Sequence, residues 1–271
     1  MNKKVLVLDI DGTLTNSRKE ITPVTKKVIQ DIMKKGHKVI LASGRPTPGM
    51  RRYEAELELE KYGGYLLSYN GAKVIDCQSG EIVYQRLLPL SMVPSLYAFA
   101  KEKECGLITY LGETVISAFE PDEYVQLEAR INGLPIQRVE HFKEFVDFDI
   151  NKCLMTAPAT KAADFELQLR ERYQEVSSIY RSEPFFIEIM PKDVDKATAL
   201  DRMLEVIGMR REDCICCGDG FNDISMIQYA GVGVAMGNAQ KQVKDAADYI
   251  TASNDKDGLV EVIERFILDK E

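Results

Sequence analysis

Residues 5–13 read VLVLDIDGT: a run of four apolar residues, then two aspartates one residue apart, then a glycine. In an extended strand, residues i and i+2 project from the same face. Asp9 and Asp11 therefore stand side by side wherever strand geometry continues that far. Two carboxylates at that spacing repel, and one is driven toward protonation unless a cation lies between them. The pair calls for a metal ion, a shared proton or a solvated exit from the strand.

The rest of the chain extends the pattern outward from this stretch. ITPVTKKVIQDIMKKG (21–36) carries Thr22 as N-cap, Pro23 at the first helical position and Gly36 as a stop. KVILAS (38–43) then reads as a second buried strand. The C-terminal part repeats the rhythm: helix 195–209, strand 214–219, helix 223–230, strand 231–236, helix 238–247, short strand 248–251 and a final helix 258–268. Such alternation predicts βαβ units and a parallel sheet. Ligands of open parallel sheets bind at the carboxyl ends of the strands, where Asp9, Ser43 and Asp219 all fall. The middle differs, with short strands in LITYLG, TVISAF, KCLMTAP and FFIEIM between helices and no carboxylate-plus-glycine strand ends. It reads as a smaller α+β domain over 85–190, inserted into a domain built from 1–84 and 191–271.

Composition narrows the partners. The 271 residues are 45% apolar and 29% charged, which is ordinary globular usage. A net charge of −8 argues against nucleic acid or an anionic membrane surface as partner. The apolar N-terminal run is short and lacks a small-residue cleavage site, and no run approaches the roughly 18 residues of a spanning helix. A cytoplasmic protein is expected. Of six cysteines, three lie in CICC (214–217), without the paired CxxC spacing of zinc sites and with only two histidines in the chain. They read as small apolar residues of a buried strand.

Four places carry chemistry-bearing residues. In DIDGT, Asp9 suits a nucleophile or metal ligand, Asp11 an acid/base group, and Gly12 a close backbone approach to an anion; taken alone, the motif is equally a solvated turn. In LASGRP (41–46), Ser43 and Gly44 suit an oxyanion at a helix N-terminus, and singly Ser43 reads as an N-cap. Lys196 opens an amphipathic helix, where the macrodipole disfavours a cation, so it makes sense facing an anionic site. In CGDGFNDISM (217–226), Asp219, Asn222 and Asp223 supply oxygen ligands of the kind Mg²⁺ takes, although Asn222 and Asp223 also suit capping. GVGVAMG (231–237) does not have the GxGxxG spacing that opens a helix, and GxxxxGK[ST] is absent.

Taken in this order, the four places resemble the haloacid dehalogenase (HAD) superfamily of phosphotransferases. The matching residues are Asp9 and Asp11 in DIDGT, Ser43 in ASGR, Lys196 in DKATAL, and Asp219 with Asp223 in GDGFND. YNGA (69–72) and the long insertion resemble the Cof-type branch. The resemblance implies an α/β fold, a Rossmann-like parallel-sheet core with an inserted α+β cap domain. It implies Asp9 as nucleophile through an aspartyl-phosphate and Asp11 as acid/base. Mg²⁺ would be held by the Asp9 carboxylate, the Asp11 carbonyl and Asp219, with Asp223 in support. Ser43, Gly44, Lys196 and Asn222 would bind the phosphoryl group. In this chain Asp193 and Ala197 stand where glycines often flank the lysine, and Asp195 adds a further charge.

The function implied is a Mg²⁺-dependent phosphatase of small phosphorylated metabolites, sugar phosphates being the family's commonest theme. Phosphorylated cofactors such as flavin mononucleotide or pyridoxal phosphate are also open. A phosphomutase and a non-catalytic phosphometabolite or Mg²⁺ sensor are the alternatives. Asp11 argues against the sensor, since a pure binder has no use for an acid/base group.

Overall fold

In the computed structural model, which describes residues 3–268, Val5–Leu8 is fully buried because both of its faces are covered. Val5 and Val7 pack into one cluster with Leu200 and Met203, while Leu6 and Leu8 pack into another with Ile29, Ile32 and Val262. Period-2 alternation thus feeds two cores at once, which is why the run is apolar throughout.

The strands, in chain order, are β1 (Val5–Leu8), β2 (Lys38–Ala42), β3 (Tyr65–Ser68), β4 (Lys73–Asp76), β5 (Ile82–Gln85), β6 (Gly106–Leu111) and β7 (Thr114–Ser117). They continue with β8 (Ile136–Arg138), β9 (Cys153–Thr156), β10 (Ser177–Glu183), β11 (Phe186–Pro191), β12 (Cys214–Gly218), β13 (Val232–Ala235) and β14 (Tyr249–Ile250). Among the described residues they form two sheets. The eight-stranded sheet has the order β14-β13-β12-β1-β2-β3-β4-β5. It is parallel from β14 to β3, with β4 antiparallel to β3. β1 pairs with β2 on one side and with β12 on the other, so the strand order reverses there.

The chain divides into two compact units, one drawn from residues up to Tyr84 and from Asp195 onward, the other spanning Gln85–Val194. The second unit holds the sheet β10-β11-β9-β6-β7-β8, antiparallel except for the β7/β8 pair. Its own core includes Leu96, Phe99, Leu107, Phe165 and Ile187. The unit runs to Val194, past the end of β11 at Pro191 and past the expected limit at 190.

Local signals act as their chemistry dictates. The Thr22 hydroxyl accepts from the Thr25 N–H, Pro23 opens helix Pro23–Lys34, and the chain turns at Gly36 with φ 86°. Asp195 caps helix Lys196–Ile207 by accepting from the Thr198 N–H at 2.8 Å. That use explains the extra carboxylate beside Lys196. The expected helix over 223–230 is a 3₁₀ turn (Phe221–Asp223) followed by helix Ile224–Tyr229. Strands β8 and β10 do not stand out in the sequence, because Gln137, Arg138 and the end of β10 face solvent and break the apolar pattern.

Between β3 and β4 the chain makes a tight turn with Tyr69, Asn70 and Gly71 all at positive φ. At Gly71 (φ 106°) a Cβ would lie 2.4 Å from the Asp195 carbonyl oxygen and 2.9 Å from the Ala199 Cβ. Gly80 also has positive φ, but nothing lies within 4 Å of its Cβ position. Gly80→Ala is expected to cost only the left-handed backbone penalty, about 1–2 kcal/mol. Gly71→Ala adds a backbone clash, so its loss of unfolding free energy in urea denaturation should be clearly the larger of the two.

Candidate active site

β1 ends at Leu8, and the chain turns over itself directly afterwards. The Leu14 N–H donates to the Asp9 carbonyl (3.1 Å) and the Thr15 N–H to the Ile10 carbonyl (3.0 Å). Extended geometry therefore stops short of Asp11, and the two aspartates take different partners. Asp9 is buried, with Oδ1 accepting from Lys196 Nζ at 2.7 Å. Asp11 is turned to Arg45, whose Nε and Nη2 donate to its two oxygens at 2.7 and 2.9 Å, and to Lys19 Nζ at 2.9 Å. Burial pushes the Asp11 carboxyl up, but the hydrogen bonds and charge of Arg45 and Lys19 outweigh it and hold the group at about 2. Gly12, at φ 89°, is required by contact as well as conformation: a Cβ there would lie 2.3 Å from Asp219 Oδ2.

Lys196 is the first residue of its helix and is buried. Its three N–H donors all end on protein oxygens: Asp9 Oδ1, the Ala42 carbonyl at 2.8 Å and Asp223 Oδ1 at 2.5 Å. One ammonium thus joins the ends of β1 and β2 to the loop after β12. Asp223 is fully engaged as well, because Oδ2 accepts from the N–H groups of Asp219 (3.0 Å) and Gly220 (2.9 Å). Asp219 Oδ1 accepts from the Thr13 hydroxyl at 2.9 Å.

Asp9, Asp219 and Asp223 offer carboxylate oxygens that all lie within 4.8 Å of one another. Three carboxylates against one ammonium leave an excess of two negative charges. Burial, with Asp223 adding to it, pushes Asp9 well above the usual carboxylate range. The same two causes raise Asp219 to about 6 against the Thr13 hydrogen bond. Lys196 is pulled down by burial, but Asp223 and Asp9 outweigh that and hold it above its usual range. An all-oxygen donor set with a twofold negative excess fits a hard divalent cation such as Mg²⁺.

Ser43 continues β2, its N–H donating to the Leu67 carbonyl at 2.8 Å, and its hydroxyl accepts from the Arg45 N–H at 3.2 Å. A Cβ on Gly44 would lie 3.1 Å from the Asn70 side-chain amide, which in turn accepts from Asn222 Nδ2 at 3.0 Å. All eight expected residues therefore gather at the carboxyl ends of β1, β2 and β12 within one unit. Thr13, Lys19, Arg45 and Asn238 also touch the aspartates. Arg45 stands beside the recognised Ser43–Gly44 pair, whereas nothing in the spacing of Lys19 or Asn238 announces them. The buried Cys214, Cys216 and Cys217 lie in β12; burial lifts Cys214 to about 12, so they serve as packing.

The raised carboxyls set a pH dependence. Asp219 keeps its proton up to about pH 6, and burial holds Asp9 well above the usual carboxylate range, so protons displace a cation as pH falls. The rise in Tm produced by saturating Mg²⁺, measured by scanning calorimetry, should shrink between about pH 7 and about pH 5.

Comparison with known proteins identifies the family. A family model described as haloacid dehalogenase-like hydrolase matches residues 6–263. A solved haloacid dehalogenase-like hydrolase from Bacteroides thetaiotaomicron is 44% identical, with a TM-score of 0.95 over 98% of this chain and 100% of its own. The structure of a HAD subclass IIB sugar phosphatase superposes with a TM-score of 0.82 at 27% identity, covering 97% of this chain and 99% of the other. A Bacillus subtilis 5-amino-6-(5-phospho-D-ribitylamino)uracil phosphatase is 29% identical over 98% of this chain and 96% of its own length. With β1 at the reversal of strand order, the aspartates at its end, and a match spanning nearly the whole sequence, the chain belongs to the haloacid dehalogenase-like hydrolases.

Proposed function

We propose that this chain is a Mg²⁺-dependent phosphatase that hydrolyses small phosphorylated metabolites, sugar phosphates foremost, through an aspartyl-phosphate on Asp9. The observation that carries the reading is the pairing of a buried, Lys196-neutralised Asp9 with a second carboxylate, Asp11, at the rim of the same carboxylate cluster. The substrate class draws on the relatives: one is named a sugar phosphatase, and the name of another specifies a phosphorylated ribityl chain.

A carboxylate attacks a phosphate monoester poorly because both are anionic. Bound Mg²⁺ supplies the charge neutralisation and Lewis acidity that this encounter lacks. Asp9, the Asp11 carbonyl and Asp219 are the proposed ligands. Asp223, with both oxygens engaged, anchors Lys196 and the Asp219 loop from behind. Lys196 locks Asp9 through Oδ1, which leaves Oδ2 as the attacking atom. Its ammonium also offsets the charge that builds on the phosphoryl oxygens. Ser43, the Gly44 N–H and Asn222 are the proposed holders of those oxygens.

In the first half-reaction the Asp9 oxygen bonds to phosphorus as the ester P–O bond breaks, and Asp11 protonates the departing oxygen. In the second, Asp11 takes a proton from water, the water oxygen bonds to phosphorus, and the bond to Asp9 breaks to release inorganic phosphate. Held by Arg45 and Lys19, Asp11 is ionised and ready for the second step. For the first it must leave that clamp and carry a proton to the ester oxygen.

Phosphate release from p-nitrophenyl phosphate and from a panel of sugar phosphates tests the reading. Release should require Mg²⁺, stop with EDTA and vanish in Asp9→Asn. Asp11→Asn should lower kcat by about 10²–10⁴-fold while Mg²⁺ binding persists. An unaltered chain that binds Mg²⁺ yet releases no phosphate from any of these esters would sink the proposal.

A further inference from the structure

The glycine-rich segment 231–237 matches no nucleotide-binding spacing, yet it ends beside the carboxylate cluster. It forms β13, whose end is held tightly: the Met236 N–H donates to the Gly218 carbonyl (3.0 Å) and the Gly237 N–H to the Ala252 carbonyl (3.1 Å). A Cβ on Gly237 would lie 2.8 Å from the Ser253 nitrogen, so only glycine lets the two segments meet. The next residue, Asn238, is exposed and reaches three other loops. Its Nδ2 donates to the Gly12 carbonyl at 2.8 Å and lies 3.4 Å from Asp219 Oδ2. Its Oδ1 accepts from the Asn254 N–H at 3.0 Å.

The orientation of that amide is forced by its neighbours. A backbone N–H can only donate, so the atom facing Asn254 is the oxygen. A carbonyl and a carboxylate can only accept, so the NH₂ faces Gly12 and Asp219. Gly12 follows Asp11, whose carbonyl is a proposed cation ligand, and Asp219 is another. We infer that Asn238 is a positioning residue that fixes the spacing between the Asp9–Thr13 loop and Asp219, and so tunes the site to a small divalent cation. This inference rests on the cation reading proposed above.

The physical reason is the different tolerance of the two common hard cations. Mg²⁺ demands near-ideal octahedral geometry at short distances, whereas Ca²⁺ accepts longer, irregular ones. A brace joining two ligand-bearing loops therefore matters more to Mg²⁺ than to Ca²⁺. Residues that orient ligands without touching the metal typically contribute about 10–100-fold in affinity.

The test is isothermal titration of the metal-free chain with Mg²⁺ and separately with Ca²⁺. Asn238→Ala, or Asn238→Ser if the alanine variant folds poorly, should weaken Mg²⁺ by about 10–100-fold and Ca²⁺ by less. The preference for Mg²⁺ over Ca²⁺ then falls. Asn254→Ala is the control, because it removes the Nδ2 bond to the Thr15 carbonyl in the same loop cluster and keeps the backbone N–H that Asn238 accepts. It should lower Tm with the Mg²⁺/Ca²⁺ ratio unchanged. Equal Mg²⁺ affinity and an equal ratio in the Asn238 variants overturn the positioning role alone. Absence of Mg²⁺ binding to the unaltered chain overturns the cation reading and this inference together.

Discussion

The buried ammonium of Lys196 is the interaction on which the rest of this site depends. Removing a charge from water costs several kcal/mol even after relaxation, and here the cost falls at a helix N-terminus, where the macrodipole adds repulsion. Three acceptors offset it: Asp9, Asp223 and the Ala42 carbonyl. Deleting Lys196 itself leaves the buried Asp9 and Asp223 carboxylates without their counter-charge, a loss of about 3–5 kcal/mol. Because the three acceptors lie at the ends of β1 and β2 and after β12, the lysine holds three strand ends in one geometry. Its single positive charge still leaves the cluster two short of neutral. That residual charge fits the cluster to a divalent cation, where a neutral one would be a closed ion-pair network.

A second constraint comes from the turn at Tyr69–Gly71. Non-glycine residues at positive φ are strained, and two stand consecutively here. Backbone hydrogen bonds hold the turn: the Tyr69 N–H donates to the Arg45 carbonyl and the Asn70 N–H to the Ser43 carbonyl, both at 2.9 Å. Gly71 meanwhile lies against Asp195, the cap of the Lys196 helix. One short segment thereby sets the Ser43–Arg45 loop against the lysine helix. Strain in the turn is offset by the order it imposes on loops that carry no regular structure of their own.

Much of this architecture was legible in the residues. The apolar runs of β1, β2 and β12 read as buried parallel strands because both faces are covered, and Thr22, Pro23 and Gly36 bounded their helix for stated stereochemical reasons. Asp9, Ser43 and Asp219 stood out because polar residues directly ending apolar strands fall where a parallel sheet opens to ligands. Strand β5, and β8 and β10 in the other unit, were obscured because solvent-facing positions interrupt their apolar pattern. Asp11 was expected beside Asp9, but the early turn sends it to Arg45 and Lys19. That turn depends on Gly12 meeting Asp219, a contact more than two hundred residues away in sequence.

Sequence by itself determined which residues carry charge, where strands end and which chemistry those ends could hold, because periodicity, capping and strand-end polarity are local properties. Only the tertiary structure decided how the charges are apportioned. Lys196 goes to Asp9 and Asp223, Arg45 to Asp11, and the Asn238 amide to Gly12 and Asp219. Those partnerships are set by crossover connections that bring distant strand ends within hydrogen-bond reach, and no spacing along a single chain encodes a distance between its remote parts.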